Sequence, residues 1–134
     1  MIKKIVAFTL MVMFLMACGK KQDIGAEIQG KNYAYREKVI LEEENLEVVF
    51  TLAFKGDRIN VVALNNFSSG YVIDGNGITI MPMAGTLMAG PERLMEKEGE
   101  FLEDLRDTKG ISLDNSTLTL TTKDGNELVF DEIN

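Results

Sequence analysis

Apolar and polar positions alternate through most of this chain. Leu46, Val48, Phe50, Leu52 and Phe54 fall on every second residue, which predicts one half-buried strand with a wide apolar face. Lys55-Gly56-Asp57 turns the chain, and Ile59, Val61 and Ala63 resume the alternation. Upstream, Tyr33 and Tyr35 alternate with Asn32 and Ala34, and Val39-Ile40-Leu41 forms a short apolar run. Glu42-Glu43-Glu44-Asn45 interrupts that run and predicts a solvated hairpin loop, because like charges so close resist burial.

Asn65-Asn66-Phe67-Ser68-Ser69-Gly70 predicts a loop, being rich in residues that tolerate turns. Tyr71-Val72-Ile73 and Ile78-Thr79-Ile80-Met81 follow as short strands joined by Asp74-Gly75-Asn76-Gly77. That joint fails as a calcium loop, since Ile78 and Thr79 occupy positions where a ligand and a glycine are needed, and it predicts a hairpin turn. The last third returns to strands at 110–113, 118–121 and 127–130. They are separated by Asp114-Asn115 and Asp124-Gly125-Asn126, which predicts an antiparallel meander.

One segment changes period. From Pro91 onward, Leu94, Met95, Phe101, Leu102 and Leu105 cluster on one face at about 100° per residue, with Pro91 and Glu92 suited to a first turn. Glu98 lands inside the same apolar arc. A carboxylate there must find hydrogen-bond donors or have its charged form penalised. Two roles are open to it, a proton-transfer group or a structural acceptor for backbone N–H groups of a neighbouring loop. The second is favoured because no partner base is evident. Gly99 weakens the helix by about 1 kcal/mol relative to alanine, which predicts close approach of another backbone. The fold class is mainly β (α+β), with one packed helix.

The first residues follow other rules. Lys3 and Lys4 precede an apolar run from Ile5 to Ala17, shorter than the roughly 20 residues a spanning helix needs. Leu15-Met16-Ala17-Cys18 resembles the bacterial lipobox, so residues 1–17 are predicted to be a lipoprotein signal peptide cut before Cys18. Cys18 is the only cysteine, and lipidation would consume a thiol that has no disulfide partner. Several acyl chains would hold the protein durably to a membrane. Residues 18–29, polar on the whole, are predicted to be a lipidated tether, and residues 30–134 the folded domain. By the enterobacterial sorting rule Gly19 points to the outer membrane; in a single-membrane cell the outer face of the plasma membrane is the expected address.

Composition then narrows the chemistry. The 134 residues contain no histidine and no tryptophan, which leaves zinc, copper and iron without their usual ligands and Ser-His or Cys-His nucleophiles without a base. No metal and no cofactor is expected. Loss of Lys3 and Lys4 from 14 basic residues leaves 12 against 21 acidic ones, a net charge of −9. That balance disfavours nucleic acid and anionic headgroups alike.

The order of parts resembles the META domain, also called HslJ-like, a small bacterial envelope family. The likeness is carried by Leu64-Asn65-Asn66-Phe67-Ser68-Ser69-Gly70-Tyr71, by Thr86-Leu87-Met88-Ala89-Gly90, and by Glu98-Gly99-Glu100-Phe101-Leu102-Glu103-Asp104-Leu105. It implies a conical antiparallel β-barrel or curved sheet with a packed helix, and no enzymatic activity. It marks Asn65 with Glu98 as candidate structural or functional residues. The family's two cysteines are replaced by Leu64 and Gly90, as a lost disulfide would look if they pair in relatives, and Tyr33 stands where relatives tend to have tryptophan.

Three functional expectations follow. The first is a membrane-anchored, non-enzymatic domain that binds an envelope protein, a peptide or a small ligand, with Met81, Met83 and Met88 as candidate surface, since methionines adapt to varied partners. Against it stands the expectation that these methionines fill the barrel core. The second is a carboxylate-dependent hydrolase of an envelope substrate, which needs a second acid about 5–10 Å from Glu98. The third is a structural or stress-buffering role at an assembly partner.

Overall fold

The computed structural model describes residues 22–133. The predicted signal peptide, the lipidation of Cys18 and the first tether residues lie outside them. The described residues begin with a helical turn, α1 (Ile24–Glu27), followed by β1 (Asn32–Tyr35), β2 (Val39–Leu41), β3 (Leu46–Val48), β4 (Thr51–Lys55) and β5 (Arg58–Val62). Next come β6 (Asn66–Asp74), β7 (Gly77–Ile80) and β8 (Ala84–Gly85). The long helix α2 (Glu92–Arg106) then leads to β9 (Thr108–Asp114), β10 (Thr117–Thr122) and β11 (Glu127–Ile133).

Eight of these strands close a barrel in the order β5-β4-β1-β11-β10-β9-β7-β6, and β5 pairs with β6 to seal it. All its pairings are antiparallel. Alternation decides which side chains face in. Leu52 and Phe54, Ile59 and Val61, Leu118 and Leu120, and Leu128 and Phe130 are buried, each pair two residues apart on one strand. The meander β9–β10–β11 forms with tight turns, one of them at Asn115, whose φ of 56° suits asparagine better than most side chains.

Strand polarity gives the barrel two distinct ends. The β4–β5, β6–β7 and β9–β10 turns share one end with α1, whose flanking Gln29 side chain donates to the Gly56 carbonyl at 2.8 Å and accepts from the Gly56 N–H at 2.8 Å. The opposite end carries residues 63–65, the 81–91 segment and α2. Helix α2 buries Leu94, Glu98, Phe101 and Leu105, steps of four, three and four residues that form one stripe. Phe101 is the anchor, with its ring centroid 4.8 Å from Tyr35, 5.2 Å from Phe50 and 6.1 Å from Phe130.

Four expectations need correction. Residues 66–70 are strand rather than loop: Asn66 to Gly70 pair with Val62 to Arg58, so sheet closure overrides the turn propensity of serine and glycine. The strand predicted across 46–54 breaks at Val49-Phe50, because Leu46–Val48 pairs only with β2 in a separate two-stranded sheet while Phe50 turns in against Phe101. The tether does not extend to residue 29, since Ile24 and Ile28 are both buried in the barrel core. Gly99 has no close neighbour, a Cβ there meeting nothing within 4 Å, and nothing in the structure explains the glycine.

Candidate functional site

Where β5 ends, Ala63 donates to the Asn65 carbonyl at 2.9 Å and turns the chain back into β6, pointing the Asn65 side chain under α2. Asn65 is buried and fully partnered. Its backbone N–H donates to Glu98 Oε2 at 2.7 Å, and its Nδ2 donates to Glu98 Oε1 at 3.1 Å and to the Met88 carbonyl at 3.3 Å. Its Oδ1 accepts from the Met88 N–H at 2.6 Å and from Thr86 Oγ1 at 3.2 Å. Thr86 in turn accepts from the Asn66 N–H at 3.2 Å through Oγ1 and donates its own N–H to the Asn66 carbonyl at 3.1 Å.

Glu98, in the buried stripe of α2, therefore touches donors of the neighbouring loop, and Asn65 occupies both of its oxygens. The asparagine amide acts as a two-sided connector, with helix on one side and the 86–88 backbone on the other. Glycines shape the same corner. A Cβ on Gly85 would run into the Asn66 carbonyl oxygen and the Phe67 ring. A Cβ on Gly90 would stand 2.8 Å from Leu64 Cδ1, so the two positions matched to the family's cysteines are in contact here.

The three methionines do not all fill the core. Met88 is 62% exposed and Met81 38%, whereas Met83 is partly buried and packs on the core. Leu87, between Thr86 and Met88, is 94% exposed. The Met88 backbone and the Thr86 hydroxyl hold residues 86–88 to Asn65 across the barrel rim, with the Leu87 and Met88 side chains turned outward. Beside this segment runs a groove of about 270 Å³ lined by Phe67, Met81, Pro82, Met83, Leu102 and Arg106. One extra residue is inserted between the Tyr71–Ile80 and Ser68–Ala84 pairings; Met81 still donates to the Gly70 carbonyl at 2.9 Å, and the bulge falls at Pro82 and Met83, in the lining of the groove.

A second cleft holds acids that the sequence reading missed. Glu37, Glu100 and Asp104 line a space of about 60 Å³ together with Tyr35, Phe50 and Lys97. Tyr35 donates to Glu37 at 3.1 Å. Burial, then the carboxylates of Glu103, Asp107, Glu100 and Glu37, push the Asp104 carboxyl above its ordinary range. The i,i+4 spacing of Glu100 and Asp104 was the available signal. The space suits a water or two and not a sugar ring, and Glu98 is not among its lining residues. Among the described residues no group of His, Cys, Asp or Glu could hold a metal ion.

A closed antiparallel barrel capped by one long helix, with an asparagine-centred corner beneath that helix, defines a small helix-capped β-barrel module. The chain belongs to the META domain family, whose model matches residues 26–134. A protein from Burkholderia xenovorans solved by NMR shares the fold at a TM-score of 0.64 and 15% identity, over 81% of this chain and 85% of that one. A DUF4847 family protein from Bacteroides vulgatus shares it at a TM-score of 0.60 and 11% identity, over 81% and 96%. No curated protein sequence matches the chain. The family and these relatives indicate no catalytic class.

Proposed function

We propose that this protein is a lipid-anchored envelope component whose META domain binds a protein, peptide or small ligand without transforming it. The carrying observation is the exposure of Met81, Leu87 and Met88 on a segment whose backbone is pinned to Asn65 and, through it, to Glu98. A backbone that is already fixed leaves only the side chains to be ordered on binding, which lowers the entropic cost. Cys18 supplies the anchor, with the signal sequence of residues 1–17 directing export. From Cys18 to Gln22 the chain reaches about 14 Å at most, and Gln22 donates to the Leu113 carbonyl at 2.9 Å at the α1 end of the barrel. The α1 end then lies nearest the membrane and the methionine face points away from it.

Two experiments test the two halves. Cys18→Ser should abolish lipid labelling and leave unprocessed precursor; normal processing would remove the anchor. A photo-reactive residue at position 88 of the lipidated protein should give discrete adducts in envelopes that position 72, exposed on the barrel wall, does not give. Identical adducts from both positions would overturn the assignment of the binding face.

A further inference from the structure

We propose that the groove beside the methionine segment is a binding site for a small monoanionic amphiphile, a molecule with an apolar body and one carboxylate or sulfonate head. The proposal rests on the reading of the methionine face as the binding surface and gives that surface a ligand class. Five of the six lining residues (Phe67, Met81, Pro82, Met83 and Leu102) are apolar, and the sixth is Arg106. At about 270 Å³ the groove lies just below the range of roughly 300–1,000 Å³ typical of small-molecule sites, so it accommodates one short chain or a single ring.

The arginine sets the sign of the charge. Five of the ten basic side chains among the described residues (Lys31, Arg36, Lys38, Lys97 and Lys123) lie within 4.0 Å of a carboxylate. Arg106, like Lys55, Arg58, Arg93 and Lys109, does not, and it is the one of these that lines the groove, with no side-chain hydrogen bond of its own among the described residues. Its place in the last turn of α2 complements the helix dipole, which explains a cation there but not the apolar wall it faces. Its acidic neighbour Asp107 is engaged by Lys123 at 3.6 Å. A guanidinium with open donors in the lining of an apolar groove matches a carboxylate or sulfonate head, which it can grip through two parallel N–H bonds. The net charge of the domain sets the limit: each further negative charge on the ligand meets an acidic protein, so a monoanion fits better than a dianion such as a phosphate monoester. Met81 and Met83 in the same lining accept bodies of varied shape.

The test uses the processed, lipidated protein in nanodiscs with carbon-13 in its methionine methyl groups. The probes are hexanoate, hexylammonium and 1-hexanol. Hexanoate should shift the Met81 and Met83 methyl signals saturably and leave that of Met95, exposed on α2 outside the groove, unmoved. Arg106→Gln, an exposed substitution that leaves the backbone spectrum intact, should weaken hexanoate by about tenfold and leave hexanol unchanged, because one charge-assisted contact is lost. Hexylammonium or hexanol matching hexanoate, or hexanoate binding unaltered in the Arg106→Gln variant, would overturn the anionic assignment while the methionine face still bound apolar bodies. Silence of the Met81 and Met83 signals with all three probes would also overturn it, and the broader reading would then stand or fall on the adducts at position 88.

Discussion

Replacing Glu98 with alanine isolates what holds the 86–88 segment to the barrel. The substitution leaves the buried Asn65 N–H without an acceptor and takes from Asn65 Nδ2 one of its two partners. An orphaned buried donor costs about 1–3 kcal/mol, and a bond to a charged acceptor contributes roughly 1.5–3 kcal/mol. Against this, alanine is the better helix former by a few tenths of a kcal/mol and removes the cost of burying a carboxylate. The net expectation is a loss of about 3 kcal/mol. For a domain of this size that lowers Tm by about 12 °C, taking roughly 4 °C per kcal/mol. Urea unfolding followed by circular dichroism reads the loss directly, with the slope unchanged if the native state stays compact. Glu98→Gln should lose about half as much, because its carbonyl still accepts from the Asn65 N–H while its NH2 opposes Asn65 Nδ2. Combined with Asn65→Ala, Glu98→Ala should be less than additive by about 1–2 kcal/mol. A loss below about 1 kcal/mol for Glu98→Ala, or a glutamine variant weaker than the alanine one, would refute the reasoning.

Four further outcomes follow from the same structure. Gly99→Ala should stabilise the protein by about 0.5–1 kcal/mol in urea unfolding, because a methyl there meets nothing; a loss would reveal a hidden contact. Gly85→Ala should cost about 1–3 kcal/mol and shift the Thr86 and Met88 amide signals, since its Cβ would collide with the Asn66 carbonyl and Phe67. Burial, with Glu132 and Glu27 nearby, pushes the Tyr33 hydroxyl up to about 12 from 10.0. Stability tied to it is therefore fully present below pH 10 and lost as pH rises towards 12, where the unfolded tyrosine ionises first; Tyr33→Phe should flatten that alkaline limb and, having lost a hydroxyl with no hydrogen-bond partner, match or exceed the parent at pH 7. Leu64→Cys combined with Gly90→Cys should form a disulfide detectable as a loss of two mass units, stabilising by about 3 kcal/mol for a loop of this length; two free thiols under oxidising conditions would refute the contact.

The barrel was legible where the chain itself alternates. Leu118 and Leu120, or Leu52 and Phe54, declare a face that must be covered, and Asp-Gly and Asp-Asn pairs mark the turns between them. It was not legible where pairing is imposed from outside. Ser68 and Ser69 carry no apolar face, and pairing with β5 on one side and, at Ser68, with β8 on the other makes that stretch a strand. Ile24 and Ile28 were hidden in the same way by polar neighbours, four residues apart being too short a pattern to read. Glu98 was conspicuous for lying within an apolar arc, a purely local signal. What it bonds to was not, because Asn65 is 33 residues away and the Met88 backbone reaches the asparagine, not the glutamate.

Two contacts bridge the same pair of segments, and their relation explains how the corner persists without a covalent link. Leu64 and Gly90 touch at one edge, while Asn65 and the 86–88 backbone are bonded at the next residues along. The leucine needs the glycine: its two methyl carbons occupy the space a side chain at 90 would take, 2.8 and 3.0 Å from the Cβ position. A disulfide acts mainly by restricting the unfolded chain, whereas buried packing and hydrogen bonds act on the folded one. The chain thus carries its restraint in the native state, through Asn65 and Glu98, with Leu64 filling the gap. That restraint is local: the same bonds that hold the 86–88 backbone at the rim keep Leu87 and Met88 outward, already placed for a ligand.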